Sequence, residues 1–178
     1  MTDRQTAGGR DPAVGKTGAG NVRGPASGFI LRPVVNADLP QLFALDRICF
    51  EPGIAYSREE IRSFLALPTA RGLALESGGT VVGFTIGYRP ARRRGSVVTL
   101  DVHPDWRQRG AGRSLLSALV DRLERDGARE ITLEVDVGNR RAIAFYERFG
   151  FRTVARLPGY YGAGRDANEM ELRLPPPA

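Results

Sequence analysis

Apolar residues recur along the chain at two spacings, one typical of helices and one typical of strands. Asp38 to Phe50 and Arg113 to Arg125 carry leucines every three or four residues, which predicts two amphipathic helices. Gly127 supplies a stop for the second of them. Ile131 to Val137 alternates apolar and polar side chains strictly, which predicts a strand with one buried face.

Two more helices are marked by the residues at their ends. Ser57, with Glu60 three positions later, has the pattern of a capping box. Asn139 is a favourable cap for another helix, and Gly150 is suited to end it. The sequence therefore predicts about four helices.

The remaining predicted strands are short apolar runs separated by turn-forming residues: Phe29 to Val35, Gly72 to Glu76, Thr80 to Tyr88, Ser96 to Val102, Phe151 to Leu157 and Glu169 to Leu174. Ser77-Gly78-Gly79 is typical of a hairpin turn, and Arg92 to Gly95 is predicted to be a basic loop. The order β-α-α-β-β-β-α-β-α-β-β favours an α/β fold. We expect a mixed, mostly antiparallel sheet of six to seven strands covered by the helices.

The length of 178 residues corresponds to one domain. Residues 1–27 are rich in Gly, Ala, Thr, Arg and Asp and have almost no periodic apolar positions, so they are predicted to form a disordered tail. Residues 28–174 are predicted to form the domain, and the proline-rich residues 175–178 a second, short tail.

The cysteine and histidine contents exclude several kinds of site. Cys49 is the only cysteine, which excludes an internal disulfide and favours a cytoplasmic location; we expect it to pack in the core. His103 is the only histidine and there is no CxxC pair, so no zinc or other metal site is expected. Because no apolar run approaches the ~20 residues of a membrane-spanning helix, no membrane partner is expected.

The chain carries a net charge of +6, from 26 basic and 20 acidic residues. Such a balance favours anionic partners, which include phosphates, nucleic acid and acidic polypeptides. Solvated arginines without a partner explain the same composition, so the charge alone identifies no ligand.

The turn that follows the strand ending at Val102 has the features of an anion site. Pro104 prevents the strand from continuing, and a glycine-punctuated loop leads directly into the next helix. A helix N-terminus presents free N–H groups, and Gly110 and Gly112 remove side chains where a ligand would approach the backbone. Three arginines add positive charge: Arg107, Arg109 and Arg113. The turn is suited to a pyrophosphate, although a tight strand-to-helix turn without a ligand has the same glycines.

The pattern Arg107-x-x-Gly110-x-Gly112 after such a strand resembles the acetyl-CoA pyrophosphate motif of the GNAT acetyltransferase superfamily, whose element order matches residues 28–174. The resemblance implies acetyl-CoA as the acetyl donor. It also implies that the preceding strand bulges and separates from its neighbour, with a backbone N–H facing the thioester oxygen. The residues then expected to contact acetyl-CoA are Leu100, Asp101, Val102, Arg107, Gln108, Arg109, Gly110, Ala111 and Gly112.

Acetyl transfer to an amine requires a neutral amine and a proton for the departing thiolate. Glu134 lies in the middle of its strand among apolar neighbours, which can raise the pKa of its carboxyl. Tyr146 follows twelve positions later on the predicted helix, and a tyrosine hydroxyl can protonate a thiolate. From the residues alone, a solvent-facing carboxylate and a buried core tyrosine explain these positions better than catalytic roles do.

Three segments together resemble the RimI-type N-terminal acetyltransferases, which modify the α-amine of a small-subunit ribosomal protein. They are Leu133-Glu134-Val135, Asn139-Arg140-Arg141-Ala142 and Phe145-Tyr146-Glu147-Arg148-Phe149-Gly150-Phe151. The resemblance implies that Glu134 is the general base, that Tyr146 is the general acid and that Asn139 contacts the cofactor.

A later loop is similar to the hairpin with which these enzymes cover the first residues of a peptide. It contains Tyr160 and Tyr161, followed by Gly164-Arg165-Asp166-Ala167, and the two tyrosines are expected to bind the substrate. Tyrosines that only pack against a turn remain an alternative. Glu51 to Tyr56 lacks the proline–tryptophan stretch of the family at the substrate entrance.

The sequence thus indicates an N-acetyltransferase that acts on the N-terminal α-amine of a protein, ribosomal proteins included, by direct attack in a ternary complex with acetyl-CoA. Two alternatives stay open. One is a GNAT acetyltransferase of a small amine such as a polyamine, an amino acid or an antibiotic. The other is a non-catalytic module that binds RNA or the ribosome through Arg92 to Arg94. An N-terminal acetyltransferase, in contrast, is expected to have no stable nucleic-acid partner.

Overall fold

A computed structural model describes residues 22–23 and 28–176. The predicted N-terminal tail lies outside these residues, except that Val22–Arg23 forms a short strand where an irregular segment was expected. Of the predicted C-terminal tail only residues 175–176 are described, and they belong to no helix or strand.

The elements follow the predicted order, with the short first strand as the one addition. The helices are α1 (Leu39–Cys49), α2 (Arg58–Leu65), α3 (Ala111–Arg125) and α4 (Arg140–Phe149). The strands are β1 (Val22–Arg23), β2 (Ile30–Pro33), β3 (Arg71–Ser77), β4 (Thr80–Ala91), β5 (Arg94–Val102), β6 (Glu130–Asp136), β7 (Arg152–Leu157) and β8 (Ala167–Arg173). The predicted capping box of α2 is present, because Glu60 N–H donates to Ser57 Oγ and Ser57 N–H donates to the Glu60 carboxylate.

One eight-stranded sheet runs through the described part of the chain in the order β1-β2-β3-β4-β5-β6-β8-β7. Every neighbouring pair is antiparallel except β5 and β6, which are parallel. The predicted mixed, mostly antiparallel α/β sheet is therefore confirmed. The strand count exceeds the predicted six to seven because of β1.

Helices cover both faces of the sheet and bury two apolar clusters. The cluster under α3 includes Leu115, Leu119 and Leu123 and also takes in residues of α4. The cluster under α1 and α2 is built around Leu42, Ile61 and Phe84. The sheet is thus the middle layer of three, which leaves its open edges and strand ends as the places for a site.

Strand β5 contains a bulge at Val98. Ile86 of β4 faces Thr99 while the next residue, Gly87, faces Val97, so Val98 is an extra residue without a partner. A Cβ at Gly87 would lie 2.8 Å from the carbonyl oxygen of Ser96, which explains the glycine at this position. After the bulge, the side chains of β5 alternate in the opposite phase, so that Thr99 and Asp101 point towards α1.

Strands β5 and β6 pair only along their first residues. The parallel register joins Arg94–Ser96 to Glu130–Thr132 and ends there. Beyond Ser96 the two strands separate and leave an opening between them. The bulge and the separation are both features that the family resemblance implies for this strand.

The basic segment between β4 and β5 is shorter than predicted. Arg94 and Gly95 belong to β5, so the turn consists of Arg92 and Arg93 alone. Gly95 is buried against α3, where a Cβ would lie 3.1 Å from Leu123 Cδ1. Four consecutive polar or small residues indicated a loop, yet tertiary packing against α3 makes two of them strand residues.

Candidate active site

A cavity of about 850 Å³ occupies the opening between β5 and β6. Its walls come from these two strands, the N-terminus of α3, one face of α4, and the segment that follows α1. This volume is in the range of pockets that hold cofactors and drug-sized ligands.

The N-terminus of α3 opens into this cavity without a side-chain cap. Gly110 is the N-cap residue, with φ of 80°, and it has no side chain to accept a hydrogen bond from the helix. By contrast, Ser57 and Asn139 cap α2 and α4 with their side chains. The first intrahelical bond of α3 is donated by Ser114 to the Gly110 carbonyl at 2.9 Å. The N–H groups before Ser114 have no partner within the helix, and Gly112 lines the cavity beside them.

Arginines surround this helix end. Arg107 donates from Nε to the carbonyl oxygen of Val102 at 2.9 Å, which fixes the loop between β5 and α3. Arg113, Arg141 and Arg148 also line the cavity, the last two from α4. The sequence reasoning missed Arg141 and Arg148 as site residues, although their spacing of seven places both on one helix face.

Most residues predicted from the sequence lie in the cavity wall. From the predicted cofactor set these are Leu100, Val102, Arg107, Gln108, Gly110, Gly112 and Asn139; from the other sets they are Glu134, Tyr146 and Tyr161. Asn139 Oδ1 also accepts from the Ala142 N–H at 3.1 Å, so that the side chain caps α4 while its amide NH₂ remains available.

Four predicted residues have side chains elsewhere. Ala111 is buried in the cluster under α3, and the Arg109 guanidinium lies 5.4 Å from the Trp106 ring. Asp101 is fully buried on the α1 side of β5, and Tyr160 is half-exposed with its ring 4.9 Å from that of Tyr161. The bulge in β5 explains Asp101, because it turns this side chain away from the cavity.

The Glu134 carboxyl is half-buried in the cavity wall. Burial raises its pKa, and the charge of Glu169, which lies directly opposite on β8, raises it further. Hydrogen bonding from Tyr160 acts in the opposite direction. The Tyr161 hydroxyl donates to the backbone carbonyl of Glu134 at 3.3 Å, which places the tyrosine pair over the same strand.

Tyr146 lies on the α4 side of the cavity. Its ring packs edge-on against Phe145 and Phe151, with centroid separations of 5.3 and 5.7 Å. Burial raises the pKa of its hydroxyl, and a negative charge on Asp101 would raise it further. The hydroxyl is therefore protonated at neutral pH and has a proton to give.

The wall on the α1 side includes the segment that the family resemblance places at the substrate entrance, but none of its residues was predicted individually as a site residue. Cys49, Phe50, Ile54 and Tyr56 line it, and the Tyr56 hydroxyl donates to the Val98 carbonyl at 3.4 Å. The Cys49 thiol donates to Val102 O at 3.4 Å, and burial raises its pKa to about 11, so it stays a thiol. Cys49 packs against the cluster under α1 as expected, but it also faces the cavity.

Other residues within the described part of the chain add no second kind of site. His103 accepts from the Asp105 N–H at 3.3 Å and so caps a single 3₁₀ turn. Residues 22–23 and 28–176 hold no group of three potential metal ligands. None of the described helices is both long and apolar enough to span a bilayer.

Comparison with known proteins agrees with this geometry. The chain matches the Acetyltransferase (GNAT) family over residues 39–151. It is 35% identical over 134 residues to mycothiol acetyltransferase of Propionibacterium freudenreichii, a match that covers 69% of this chain but only 43% of that protein. It is 35% identical over 144 residues to the N-alpha-acetyltransferase MAK3 of Arabidopsis thaliana, covering 78% of this chain and 74% of that one.

A solved structure extends the likeness to the fold. The crystal structure of the ribosomal-protein-S18-alanine N-acetyltransferase from Escherichia coli matches with a TM-score of 0.74 at 26% identity, covering 83% of this chain and 95% of that one. Residues 39–151, which match the family, include β5, the turn into α3, β6 and α4, and these elements provide most of the cavity wall. This chain belongs to the GNAT acetyltransferase family.

Proposed function

We propose that the protein transfers the acetyl group of acetyl-CoA to the N-terminal α-amine of a polypeptide. The observation that carries the proposal is a single cavity whose wall contains both N–H anion donors and the two candidate acid–base residues. The uncapped end of α3 and Gly112 supply the first, and Glu134 and Tyr146 supply the second.

The residues present fit acetyl-CoA. Its diphosphate needs several N–H donors and positive charge, and the start of α3 together with Arg107 and Arg113 offers both. A side chain at position 112 would narrow the approach to those donors, and the glycine keeps it open. Bound there, acetyl-CoA would supply the thioester, and the opening between β5 and β6 offers room for its arm.

Glu134 and Tyr146 divide the proton transfers between them. Glu134 removes a proton from the incoming ammonium or amine, directly or through water, and a raised pKa makes its carboxylate a stronger base. The amine nitrogen then bonds to the acetyl carbon as the carbon–sulfur bond breaks. The sulfur takes its proton from the Tyr146 hydroxyl, and a backbone N–H of β5 stabilises the developing charge on the acetyl oxygen.

The acceptor that this site favours is a protein N-terminus, with ribosomal proteins as the first candidates. Support comes from Tyr160 and Tyr161 over strand β6 and from the relatives that are N-alpha-acetyltransferases. A ribosomal acceptor would be met in the cytoplasm, as the single cysteine also favours. The second candidate is a small amine, favoured by the likeness to mycothiol acetyltransferase.

Mass spectrometry of acetylated products separates these acceptors. The full chain is incubated with acetyl-CoA and either a panel of peptides with different first residues or a panel of polyamines, amino acids and aminoglycosides. Acetylation of peptides at the α-amine alone supports the proposal, whereas turnover confined to the second panel supports the small-amine alternative. Glu134→Gln serves as the control, because it keeps the shape of the side chain and removes the base.

A protein that binds RNA but does not bind acetyl-CoA would contradict both candidate functions. The observation to look for is a steep salt dependence of RNA affinity together with no thermal shift on addition of acetyl-CoA. We expect the reverse: a clear thermal shift with acetyl-CoA and no stable RNA complex.

A further inference from the structure

Two carboxyl groups are buried together behind the cavity. Asp46 of α1 and Asp101 of β5 are both fully buried, and their carboxyl groups lie within hydrogen-bonding reach of each other. One oxygen of each carboxyl, Oδ1 of Asp46 and Oδ2 of Asp101, is buried without a hydrogen-bond donor. A proton held between these two oxygens would supply the missing donor, and it would avoid burying two negative charges side by side.

The outer oxygens of the pair are held by neighbouring groups. Thr99 Oγ donates to Asp101 Oδ1 at 2.5 Å, and the Tyr56 N–H donates to Asp46 Oδ2 at 2.8 Å. The pair therefore links three parts of the cavity wall: β5, α1 and the segment after α1 that carries Tyr56. A link of this kind sets the distance between the strand and that segment.

Burial favours a proton on Asp101 over one on Asp46. Full burial raises the pKa of this carboxyl well above its ordinary value of 3.8, and the neighbouring charge of Asp46 raises it further. Asp46, whose pKa burial raises to about 6, then acts as the acceptor and carries the negative charge at neutral pH. The other titratable or charged groups around the pair are Arg47 and Cys49 of α1, Tyr56, Glu60 of α2, Arg107 of the loop before α3, and Tyr146 of α4.

The position of this charge matters for Tyr146. A negative charge on Asp101 raises the pKa of the Tyr146 hydroxyl and so makes it a weaker acid. The same charge would also repel the negative charge that develops on the acetyl oxygen beside β5 during acetyl transfer, and so would destabilise the transition state. Keeping Asp101 neutral places the charge of the pair on the α1 side of the strand instead.

We propose that Asp46 and Asp101 share a single proton that keeps Asp101 uncharged behind the reacting groups, which makes both of them positioning residues for acetyl transfer. The inference rests on the proposed function, because it acts through Tyr146. It assigns a part in the reaction to two residues that touch neither substrate.

Two isosteric variants test the shared proton, since each keeps one carboxyl and one amide in the pair. In Asp101→Asn the amide donates to Asp46 in place of the carboxylic O–H, and position 101 can no longer ionise. In Asp46→Asn the remaining carboxyl is Asp101, which has lost the charged neighbour that helped to keep it protonated. Asp121→Asn, at an exposed position of α3, is the matched control.

The first readout is the pH profile of kcat with saturating acetyl-CoA. We expect its alkaline decline to move to lower pH by about one unit in Asp46→Asn and to be absent in Asp101→Asn, with similar KM values for acetyl-CoA. Asp121→Asn should follow the wild type. Profiles that change in the same way in both pair variants would reduce the pair to a structural link and overturn the inference.

The second readout needs no catalysis. Because Asp101 keeps its proton in the folded chain at pH values where it has lost it in the unfolded chain, its contribution to the free energy of unfolding should fall as pH rises from 4 towards neutrality. This contribution to the slope should vanish in Asp101→Asn and persist in Asp121→Asn. An unchanged slope in Asp101→Asn overturns the shared proton.

The experiments distinguish failure of the proposed acetyltransferase function from failure of the shared-proton inference. If the proposed function is wrong, the wild type turns over no acceptor while the unfolding slope still depends on Asp101. If the present inference is wrong, the wild type is active and the two pair variants have superimposable pH profiles.

Discussion

Replacement of Gly112 by alanine should separate stability from ligand binding. A Cβ at this position would lie 3.5 Å from Phe145 Cζ and 3.8 Å from Val102 Cγ2, both ordinary van der Waals distances. The protein therefore accommodates the methyl group without a clash. Since glycine costs a helix about 0.5–1 kcal/mol relative to alanine, Gly112→Ala should raise the free energy of unfolding by up to that amount.

The same methyl group lies between two side chains that line the cavity, in front of the first turn of α3. If the diphosphate of acetyl-CoA approaches this turn closely, the added volume should cost about 1–3 kcal/mol of binding free energy, or about a 5- to 150-fold increase in Kd. Isothermal titration with CoA and thermal unfolding, each on wild type and variant, measure the two effects. The expected rise in melting temperature is a few degrees at most, on the order of 2–4 °C per kcal/mol.

Gly110→Ala is the matched control for this experiment. Nothing lies within 4 Å of its Cβ position, but its φ of 80° is strained for alanine, so this variant should lose about 1 kcal/mol of stability. The two substitutions are thus expected to shift stability in opposite directions. Gly112→Ala with the affinity of the wild type for CoA would refute a close approach of the ligand to α3.

Three further outcomes follow from the charged and acidic groups. Glu134→Gln should lower kcat about 100-fold or more, with little change in KM for acetyl-CoA. It should not lower the melting temperature, because it removes a desolvated carboxyl from beside Glu169. A variant with the kcat of the wild type across the pH range would exclude the base role of Glu134. Tyr146→Phe keeps the aromatic packing and should lower kcat while stability is unchanged, which stopped-flow or steady-state assays with one peptide can measure. Asp38→Asn removes the bidentate pair with Arg32, at 2.7 and 2.8 Å, and should cost about 2–3 kcal/mol in urea unfolding at neutral pH. Arg32 lowers the pKa of Asp38, so this difference from the wild type should disappear as pH falls through values below 3.8, and a difference that persists there would contradict the ion-pair explanation.

The parts of the structure that depend on local sequence were predictable. The capping box of Ser57 and Glu60, the cap at Asn139 and the order of the elements each follow from residues within a few positions of one another. The two glycines at the start of α3 belong to the same class, because a helix N-terminus without a capping side chain is a local feature.

The parts that depend on tertiary pairing were not predictable from one sequence. Glu169 faces Glu134 only because β8 pairs with β6 in this register. Asp101 faces Asp46 only because a bulge at Val98 reverses the strand, and no residue type marks that position for a bulge. The contribution of the α1 side to the cavity has the same origin, since it depends on where the helix packs.

The central claim is that the start of α3 holds the diphosphate of acetyl-CoA and so directs the thioester towards Glu134 and Tyr146. A crystal structure of the protein with CoA tests it most directly. The account predicts diphosphate oxygens within hydrogen-bonding distance of the backbone N–H groups around Gly110 and Gly112, and the sulfur in the opening between β5 and β6. A diphosphate bound away from this helix end, or a sulfur remote from Tyr146, would contradict it.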